Sequence, residues 1–332
     1  KNNKFLKSWI KKKSEKILIK KLIQWHLDKQ WKDIKNFAKL CNVKLIGDLP
    51  FYVSWDSADV WSNKSLFSIF KNGTLIFQSG VPPDYFSSTG QLWGTPTYFW
   101  SKHKNTNFYW WRNRFKRQFE LMDLLRLDHF RGLAGYWRVN GNSKTAISGK
   151  WISSPGRSLL SKLKLDLGTE YLPIIAEDLG VITPDVEKLR KNFKLPGMKI
   201  LQFAFDGNKD NPYLPRNING ENWVVYTGTH DNSTSISWWD SLESNSKKRI
   251  SDEYKFSEDP SWSLIELGMR TDANLFIAPI QDILSLDDSS RLNIPGTTKN
   301  NWKWKLNRPL EEIEENIKIF SELGNNYGRT RK

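Results

Sequence analysis

The chain has 332 residues, 38% of them hydrophobic and 26% charged, which indicates a globular protein with room for one large domain or two ordinary ones. It contains no run of about 18 apolar residues that could cross a membrane, and its single cysteine excludes an intramolecular disulfide and fits a reducing compartment. The formal net charge of +15 comes mainly from lysines without a nucleic-acid-binding motif, so we expect neither nucleic acid nor a membrane as partner.

The first 40 residues predict a basic amphipathic helix. Apolar residues recur there at roughly helical spacing between the lysines, namely Ile10, Ile17, Leu18, Leu22, Trp25, Ile34 and Phe37. We expect the lysines to face water and the apolar stripe to be buried. The segment has neither the apolar core of a signal peptide nor the composition of a transit peptide.

Six short apolar runs predict β-strands, and most of them end in a cluster of polar residues. They cover residues 44–47, 124–127, 172–176, 198–205, 223–229 and 274–278. Helical patterns lie between several of them, at 110–122, 158–165 and 184–192, the last with Thr183 at the cap and Pro184 in the first turn. Buried strands that alternate with helices predict an α/β fold with a parallel sheet.

Carboxylates at the ends of these strands favour a TIM (β/α)8 barrel, because active sites of that fold assemble at the carboxyl ends of its strands. An open doubly wound sheet is the alternative, but the Gly-x-Gly-x-x-Gly turn often found in such sheets does not occur. Since a barrel needs eight strands, we expect the first ones to lie upstream of Lys1, in an N-terminally truncated chain. Residues 1–332 then form a single catalytic domain that is partial at its N-terminus.

Residues 49–110 are too long for a simple loop between a strand and a helix, and they predict an inserted subdomain over the barrel mouth. Several of the 17 tryptophans lie in polar segments rich in glycine and proline, where flat indole faces suit sugar rings. These are Trp55, Trp61, Trp93, Trp100, Trp137 and Trp151.

Two carboxyl groups, each at the end of a predicted strand, suit the exchange of glycosidic bonds. Retaining chemistry needs one carboxylate that attacks the anomeric carbon and one carboxyl group that protonates the leaving oxygen. Asp128 follows the run 124–127, and Arg126 projects on the same side of the strand, where its charge favours the ionised carboxylate. Glu177 leaves the run 172–176, where desolvation favours a protonated acid.

A third carboxylate, Asp231, follows His230 after the run 223–229, and the pair could hold sugar hydroxyls and stabilise positive charge. A single strand-terminal aspartate caps the next helix more often than it catalyses, and Asp178 is better interpreted as a cap or a supporting partner. A divalent metal site is the chemical alternative for such acids. No His-x-x-x-His pair or carboxylate cluster at metal spacing occurs, so we expect no metal.

Seven segments of the chain carry a more specific signal, between about Lys44 and Trp304. They are GDLPFYVSWDSADVW (47–61), GVPPDYFSSTGQLWGTPTY (80–98), RLDHFRG (126–132), AEDLG (176–180), PGMKILQFAF (196–205), YTGTHDN (226–232) and RLNIPGT (291–297). In these segments the chain resembles the 4-α-glucanotransferases of the amylomaltase or disproportionating-enzyme type, glycoside hydrolase family 77 in the α-amylase superfamily.

The resemblance implies a role for each acid: Asp128 as nucleophile, Glu177 as general acid/base and Asp231 as stabiliser of the transition state. It implies substrate contacts by a larger set, namely Asp48, Asp84, Tyr85, Phe86, Gln91, Trp93, Arg126, His230 and Asn301. It also implies that no metal or organic cofactor is needed, and that the protein works in bacterial cytoplasm or plastid stroma.

The expected reaction is the transfer of α-1,4-glucan segments from a maltooligosaccharide or starch chain to the 4-hydroxyl of an acceptor glucan or glucose. A covalent glucosyl-enzyme intermediate retains the configuration. An α-amylase-like hydrolase with the same acids, and a catalytically incompetent glucan-binding fragment, remain as alternatives. Four departures affect subsite details. Asn300 stands where the family has glycine, and Ser233 where it usually has aspartate, while Thr95 and Phe99 replace an expected asparagine and aspartate near the loop.

Overall fold

The structure is a computed structural model that describes residues 3–83, 87–180, 182–220 and 222–330. It is an α/β fold that divides into two compact units, Lys1–Ile175 with Pro184–Leu189 and Ala176–Thr183 with Arg190–Lys332. The strands are β1 (Ile46–Pro50), β2 (Phe77–Val81), β3 (Gln91–Pro96), β4 (Leu124–Asp128), β5 (Gly135–Asn140), β6 (Gly149–Ser153), β7 (Ile174–Ala176), β8 (Gly197–Ile200), β9 (Trp223–Tyr226) and β10 (Leu275–Ile277).

The helices are α1 (Asn3–Lys12), α2 (Ser14–Leu40), α3 (Ala58–Ser62), α4 (Trp100–Asn105), α5 (Tyr109–Leu121), α6 (Gly156–Leu167), α7 (Pro184–Asn192), α8 (Ser235–Asp240), α9 (Ser244–Tyr254), α10 (Pro260–Met269), α11 (Ile280–Ile283) and α12 (Glu314–Asn326). Within the described ranges, none of these helices combines the length and the apolar character that a lipid bilayer requires.

Two three-stranded sheets have the strand orders β1-β4-β7 and β10-β9-β8. The strand β1 pairs with β4 in parallel, and β9 pairs in parallel with both β8 and β10. All six predicted strands are therefore confirmed, since each apolar run overlaps an observed strand. The run 198–205 forms a shorter strand than expected, because the chain leaves the sheet after Ile200 and turns through a 3₁₀ helix at Leu201–Phe203.

A four-stranded antiparallel sheet in the order β3-β2-β5-β6 lies in the first unit. Residues 49–110 contribute β2 and β3, and the other two strands follow β4 in the chain. Gly80 permits the close approach of β2 and β3, since a Cβ atom there would lie 2.2 Å from the carbonyl oxygen of Gln91.

The predicted helices at 110–122, 158–165 and 184–192 are confirmed as α5, α6 and α7. Trp111 and Phe115 are fully buried on one face of α5, as expected of a helix that covers a sheet. Thr183 occupies the N-cap of α7 with Pro184 in its first turn, and acidic residues open that helix while basic residues close it, which complements the helix dipole.

The N-terminal helix is present, but the expectation that its apolar stripe is buried is wrong. Within the described part of the chain, Ala38 is the one buried residue of α2, whereas Leu22 and Trp25 are 51% and 62% exposed. Polar groups hold α2 in place instead, because Trp31 Nε1 donates to the carbonyl of Leu121 at 2.9 Å at the end of α5. Lys35 donates to three further carbonyls there, those of Phe119, Glu120 and Met122.

The six tryptophans from polar segments divide into three groups, of which Trp137 alone is half-buried, with its Nε1 donating to the carbonyl of Ala146 at 2.8 Å. Trp55, Trp61, Trp93 and Trp151 are exposed. Trp100 is buried among aromatic rings at the start of α4, so the prediction that it forms an exposed face is wrong. The sequence pattern did not separate these groups, because a tryptophan beside polar residues can still point into the core.

Candidate active site

The carboxyl ends of β1 and β4 bring Asp48, Arg126 and Asp128 to one edge of the first parallel sheet. Asp48 lies opposite Arg126 in the register, and Pro50 lies opposite Asp128. Along β4 the side chains alternate, so that Leu125 and Leu127 are fully buried while Arg126 and Asp128 project to the other face.

Arg126 links the two aspartates. Its Nη1 donates to both carboxylate oxygens of Asp48, at 2.8 and 2.9 Å, and its Nη2 donates to Asp128 Oδ1 at 3.0 Å. The arginine side chain is only 12% exposed, whereas the carboxylates are 47% and 43% exposed. A planar guanidinium with diverging donors can hold two carboxylates in fixed orientations, so Asp128 is oriented at the strand end with its charge partly balanced.

His129, which the sequence argument passed over, lies in an aromatic cluster directly after Asp128. Its backbone is left-handed, with φ 52° and ψ 50°, a conformation that costs a non-glycine residue about 1 kcal/mol. The imidazole packs edge-to-face on Trp93, with 4.8 Å between ring centroids, and lies 5.9 Å from the ring of Tyr52. Burial, helped by the nearby charge of Arg131, lowers the pKa of His129 to about 4, so the ring is neutral at neutral pH.

Two of the predicted substrate contacts lie on β3. Gln91 and Trp93 are both exposed on this strand, and Trp93 Nε1 donates to Gln91 Oε1 at 3.3 Å. Three further predicted contacts, Asp84, Tyr85 and Phe86, lie outside the described residues.

Glu177 directly follows β7 and is half-buried in the second unit. Its Oε1 accepts a hydrogen bond from the backbone N–H of Leu179 at 3.2 Å. The neighbouring Asp178 has a structural role, as the sequence predicted. It forms an ion pair with the buried Arg190 at 3.0 Å and accepts from the N–H of Met198 at 2.8 Å, while burial raises its pKa.

The turn after β9 carries His230 and Asp231. Asn232 closes this turn with its side-chain oxygen, which accepts from both the N–H and the hydroxyl of Thr229, at 2.9 and 2.8 Å. His230 Nε2 lies 3.5 Å from Asp231 Oδ1, and its ring lies 5.1 Å from the ring of Trp302. The turn thus presents an aspartate and a histidine side by side at the end of the strand.

Two residues about 60 positions further along the chain hold this turn. Asn293 Nδ2 donates to Asp231 Oδ1 at 2.6 Å, and its backbone N–H donates to the carbonyl of His230 at 3.2 Å. Arg291 Nη2 donates to the carbonyl of Asp231 at 2.6 Å, and its Nη1 donates to the hydroxyl of Ser233 at 3.1 Å. The sequence argument assigned no role to Arg291 and Asn293, although the segment RLNIPGT contains both.

The side chain of Asn301 is engaged within its own loop. Its Oδ1 accepts from the N–H of Ile294 at 3.1 Å, and its Nδ2 donates to the carbonyl of Thr297 at 3.0 Å. The preceding Asn300 has φ 64°, a left-handed conformation that favours glycine and that asparagine also tolerates. The departure from the family pattern at Asn300 is therefore compatible with the same turn.

The predicted site residues are divided between the two units: Asp48, Arg126 and Asp128 belong to the first, and Glu177, His230 and Asp231 to the second. The structure describes two clusters, one around Arg126 and one around Asp231. In the described ranges, no group of three or more histidine, cysteine, aspartate or glutamate side chains is arranged to hold a metal ion.

Comparison with known proteins identifies the family to which the chain belongs. The family model for glycoside hydrolase family 77, described as 4-alpha-glucanotransferase, matches residues 1–311, and the chain belongs to this family. The chain is 45% identical over 329 residues to the 4-alpha-glucanotransferase of Synechocystis, covering 98% of this chain and 64% of that protein. It is 43% identical to the chloroplastic/amyloplastic 4-alpha-glucanotransferase of Arabidopsis thaliana, over 92% of this chain and 53% of that protein.

Among solved structures, amylomaltase from Streptococcus agalactiae in complex with acarbose matches with a TM-score of 0.94 at 34% identity. That match covers all of this chain and 67% of the amylomaltase. These matches confirm the resemblance inferred from the sequence segments, and the chain spans between about half and two thirds of the length of the relatives compared.

Proposed function

We propose that this chain carries the catalytic groups of a retaining 4-α-glucanotransferase, which transfers α-1,4-glucan segments between maltooligosaccharide or starch chains. Membership of the family supports the class of reaction. The observation that carries the assignment to particular residues is the set of bonds from Arg126 to Asp48 and Asp128, because it orients one carboxylate at a strand end beside a cation.

Asp128 is the nucleophile in this proposal. Its carboxylate attacks the anomeric carbon of the donor sugar, and the bond from that carbon to the leaving O4 breaks as the covalent glucosyl-enzyme forms. The hydrogen bond from Arg126 at 3.0 Å orients the attacking carboxylate and leaves it partly exposed to the substrate.

Glu177 is the proton shuttle. It gives its proton to O4 of the leaving glucan in the first step, and in the second step it takes a proton from the 4-hydroxyl of the acceptor. The acceptor oxygen then attacks the anomeric carbon, the bond to Asp128 breaks, and a new α-1,4 bond forms. Glu177 lies at a strand end directly after β7, where the N–H of Leu179 holds its Oε1 at 3.2 Å, and this position supports the role.

Asp231 stabilises the positive charge that develops at the anomeric centre in both steps. The amide of Asn293 holds Asp231 Oδ1, and Arg291 holds the backbone carbonyl of the same residue, which gives this carboxylate a fixed direction. His230, Gln91, Trp93 and the cluster around Arg126 are the described residues that we assign to contacts with the glucan.

We also propose that the fold of this catalytic part is a (β/α)8 barrel, with residues 49–110 as an inserted subdomain over its mouth. The parallel pairing of β1 with β4 and of β9 with both β8 and β10, with helices between the strands, supports the barrel. Cytoplasm or plastid stroma is the proposed compartment, because the relatives include a Synechocystis enzyme and a chloroplastic/amyloplastic plant enzyme.

Incubation with maltotriose tests the reaction. Transfer produces a ladder of longer maltooligosaccharides together with glucose, while the total number of reducing ends stays constant. A steady rise in reducing ends would instead assign the chain to the hydrolases.

Asp128→Asn tests whether the chain catalyses or only binds. We expect it to abolish turnover and to leave the binding of acarbose, measured by calorimetry, within about threefold of the unmodified protein. Turnover that survives in Asp128→Asn would contradict the assignment of the nucleophile.

A further inference from the structure

The buried carboxylate of Asp282 is hydrogen-bonded to the segment that carries His230 and Asp231. We propose that Asp282 is a positioning residue for Asp231, because it ties the two ends of the segment 227–235 to a single side chain. The inference rests on the proposed function in so far as Asp231 acts in the reaction, but the geometric claim can be tested without activity.

The hydrogen bonds of Asp282 go to both ends of this segment. Its Oδ2 accepts from the hydroxyl of Thr227 at 2.5 Å and from the hydroxyl of Ser235 at 2.7 Å. Its Oδ1 accepts from the backbone N–H of Ser235 at 2.8 Å. Thr227 directly follows β9 and Ser235 begins α8, so one carboxylate fixes the points where the segment leaves the strand and enters the helix.

These three residues are almost completely buried, and that burial bears on the role of the carboxylate. Burial raises the pKa of Asp282, while the donors from Thr227 and Ser235 act in the opposite direction. An apolar side chain at this position would leave the N–H of Ser235 and two buried hydroxyls without this acceptor. Asp282 is therefore the single acceptor that holds both ends of the segment.

Other groups secure the same segment between those ends. The N–H of Gln202 donates to the carbonyl of Thr227 at 3.2 Å, and its side-chain amide donates to the carbonyl of Ser233 at 2.9 Å. The N–H of Thr234 donates to Asp288 Oδ1 at 2.8 Å. The Asp231 carboxylate thus projects from a segment whose two ends are hydrogen-bonded to Asp282, while Asn293 holds the carboxylate itself.

Loss of Asp282 should therefore act on turnover through the direction of Asp231. A displacement of about 1 Å in a catalytic group can lower a rate about 100-fold. We expect Asp282→Ala to lower kcat for maltotriose transfer about 10- to 100-fold and to change KM less than about twofold. Asp282→Asn should retain more activity, because its amide can still accept one hydrogen bond and can donate to a hydroxyl that turns round.

Asp259 provides a matched control in the same unit. It also accepts three hydrogen bonds, from the N–H groups of Ser261 and Trp262 and from the hydroxyl of Ser285, and none of these donors belongs to the segment 227–235. We expect Asp259→Ala to lower the melting temperature without a change in kcat of the folded enzyme.

Amide hydrogen exchange distinguishes a positioning role of Asp282 from a merely stabilising one. We expect faster exchange of amides 228–234 in Asp282→Ala and unchanged exchange there in Asp259→Ala. The proposal is overturned if Asp282→Ala matches Asp259→Ala in both kcat and the exchange of these amides. If Asp282→Ala does not fold, the same comparison with Asp282→Asn decides, and unchanged exchange with unchanged kcat refutes the role. An unmodified enzyme that exchanges no glucan would count against the proposed function, while amide exchange would still decide the role of Asp282.

Discussion

Replacement of Arg126 by lysine tests the charge geometry on which the proposed nucleophile depends. A lysine ammonium cannot reproduce the fork that reaches Asp48 and Asp128 together, so at least one of the bonds at 2.8–3.0 Å is lost. A hydrogen bond between charged groups contributes about 1.5–3 kcal/mol, and the low end applies here because both carboxylates are more than 40% exposed. Since about 1.4 kcal/mol corresponds to a tenfold rate, Arg126→Lys should transfer glucan about tenfold more slowly.

Removal of the cation altogether should have a larger effect. Arg126→Ala leaves two carboxylates on neighbouring strands without their shared partner, and we expect a loss of about 100-fold in kcat/KM, measured as initial glucose release from maltotriose. The matched control is Arg112→Lys, because Arg112 forms a forked ion pair with Asp166 elsewhere in the same unit. That variant should keep its rate. An Arg126→Lys enzyme within twofold of the unmodified rate would refute the reasoning.

Three further predictions concern stability, the second cluster and the N-terminal helix. Burial lowers the pKa of His103 to about 4 against about 6.5 in the unfolded chain, so its contribution to stability is present above pH 6.5 and is lost as the pH falls towards 4. In His103→Gln, the free energy of unfolding should fall by about 3 kcal/mol less between about pH 6.5 and about pH 4 than in the unmodified protein, as measured by urea unfolding at each pH. An unchanged slope would contradict the assignment. Asn293→Ala should lower kcat/KM about tenfold, because Asp231 loses the amide donor at 2.6 Å, with initial transfer rates as the measurement. The double variant Leu22→Gln with Trp25→Gln should leave the melting temperature unchanged in thermal unfolding, because both side chains are more than half exposed, and a clearly lower value would show that they are covered.

Local sequence patterns predicted much of the fold and part of the site. Apolar runs located all six strands of the two three-stranded sheets, and the two-residue spacing of Arg126 and Asp128 placed both side chains on one face, where they are hydrogen-bonded. Periodicity failed at α2, because it tells which residues share a face of a helix and not whether another part of the chain covers that face. The roles of the three carboxylates remain predictions.

The supports of Asp231 show why the rest of the site could not be derived from the sequence. The segment 226–232 identifies an aspartate after a strand, but its direction is set by Asn293 and Asp282, which lie more than 50 positions away and belong to different segments. No local pattern links them to Asp231, and Asp282 reaches the segment only because α11 follows β10, the strand paired with β9. Since each of these supports acts through only two or three hydrogen bonds, a substitution at either position can change the direction of Asp231 while every strand and helix stays in place. Variants at these two positions therefore separate an intact fold from a correctly oriented carboxylate, which substitutions of Asp231 itself cannot do.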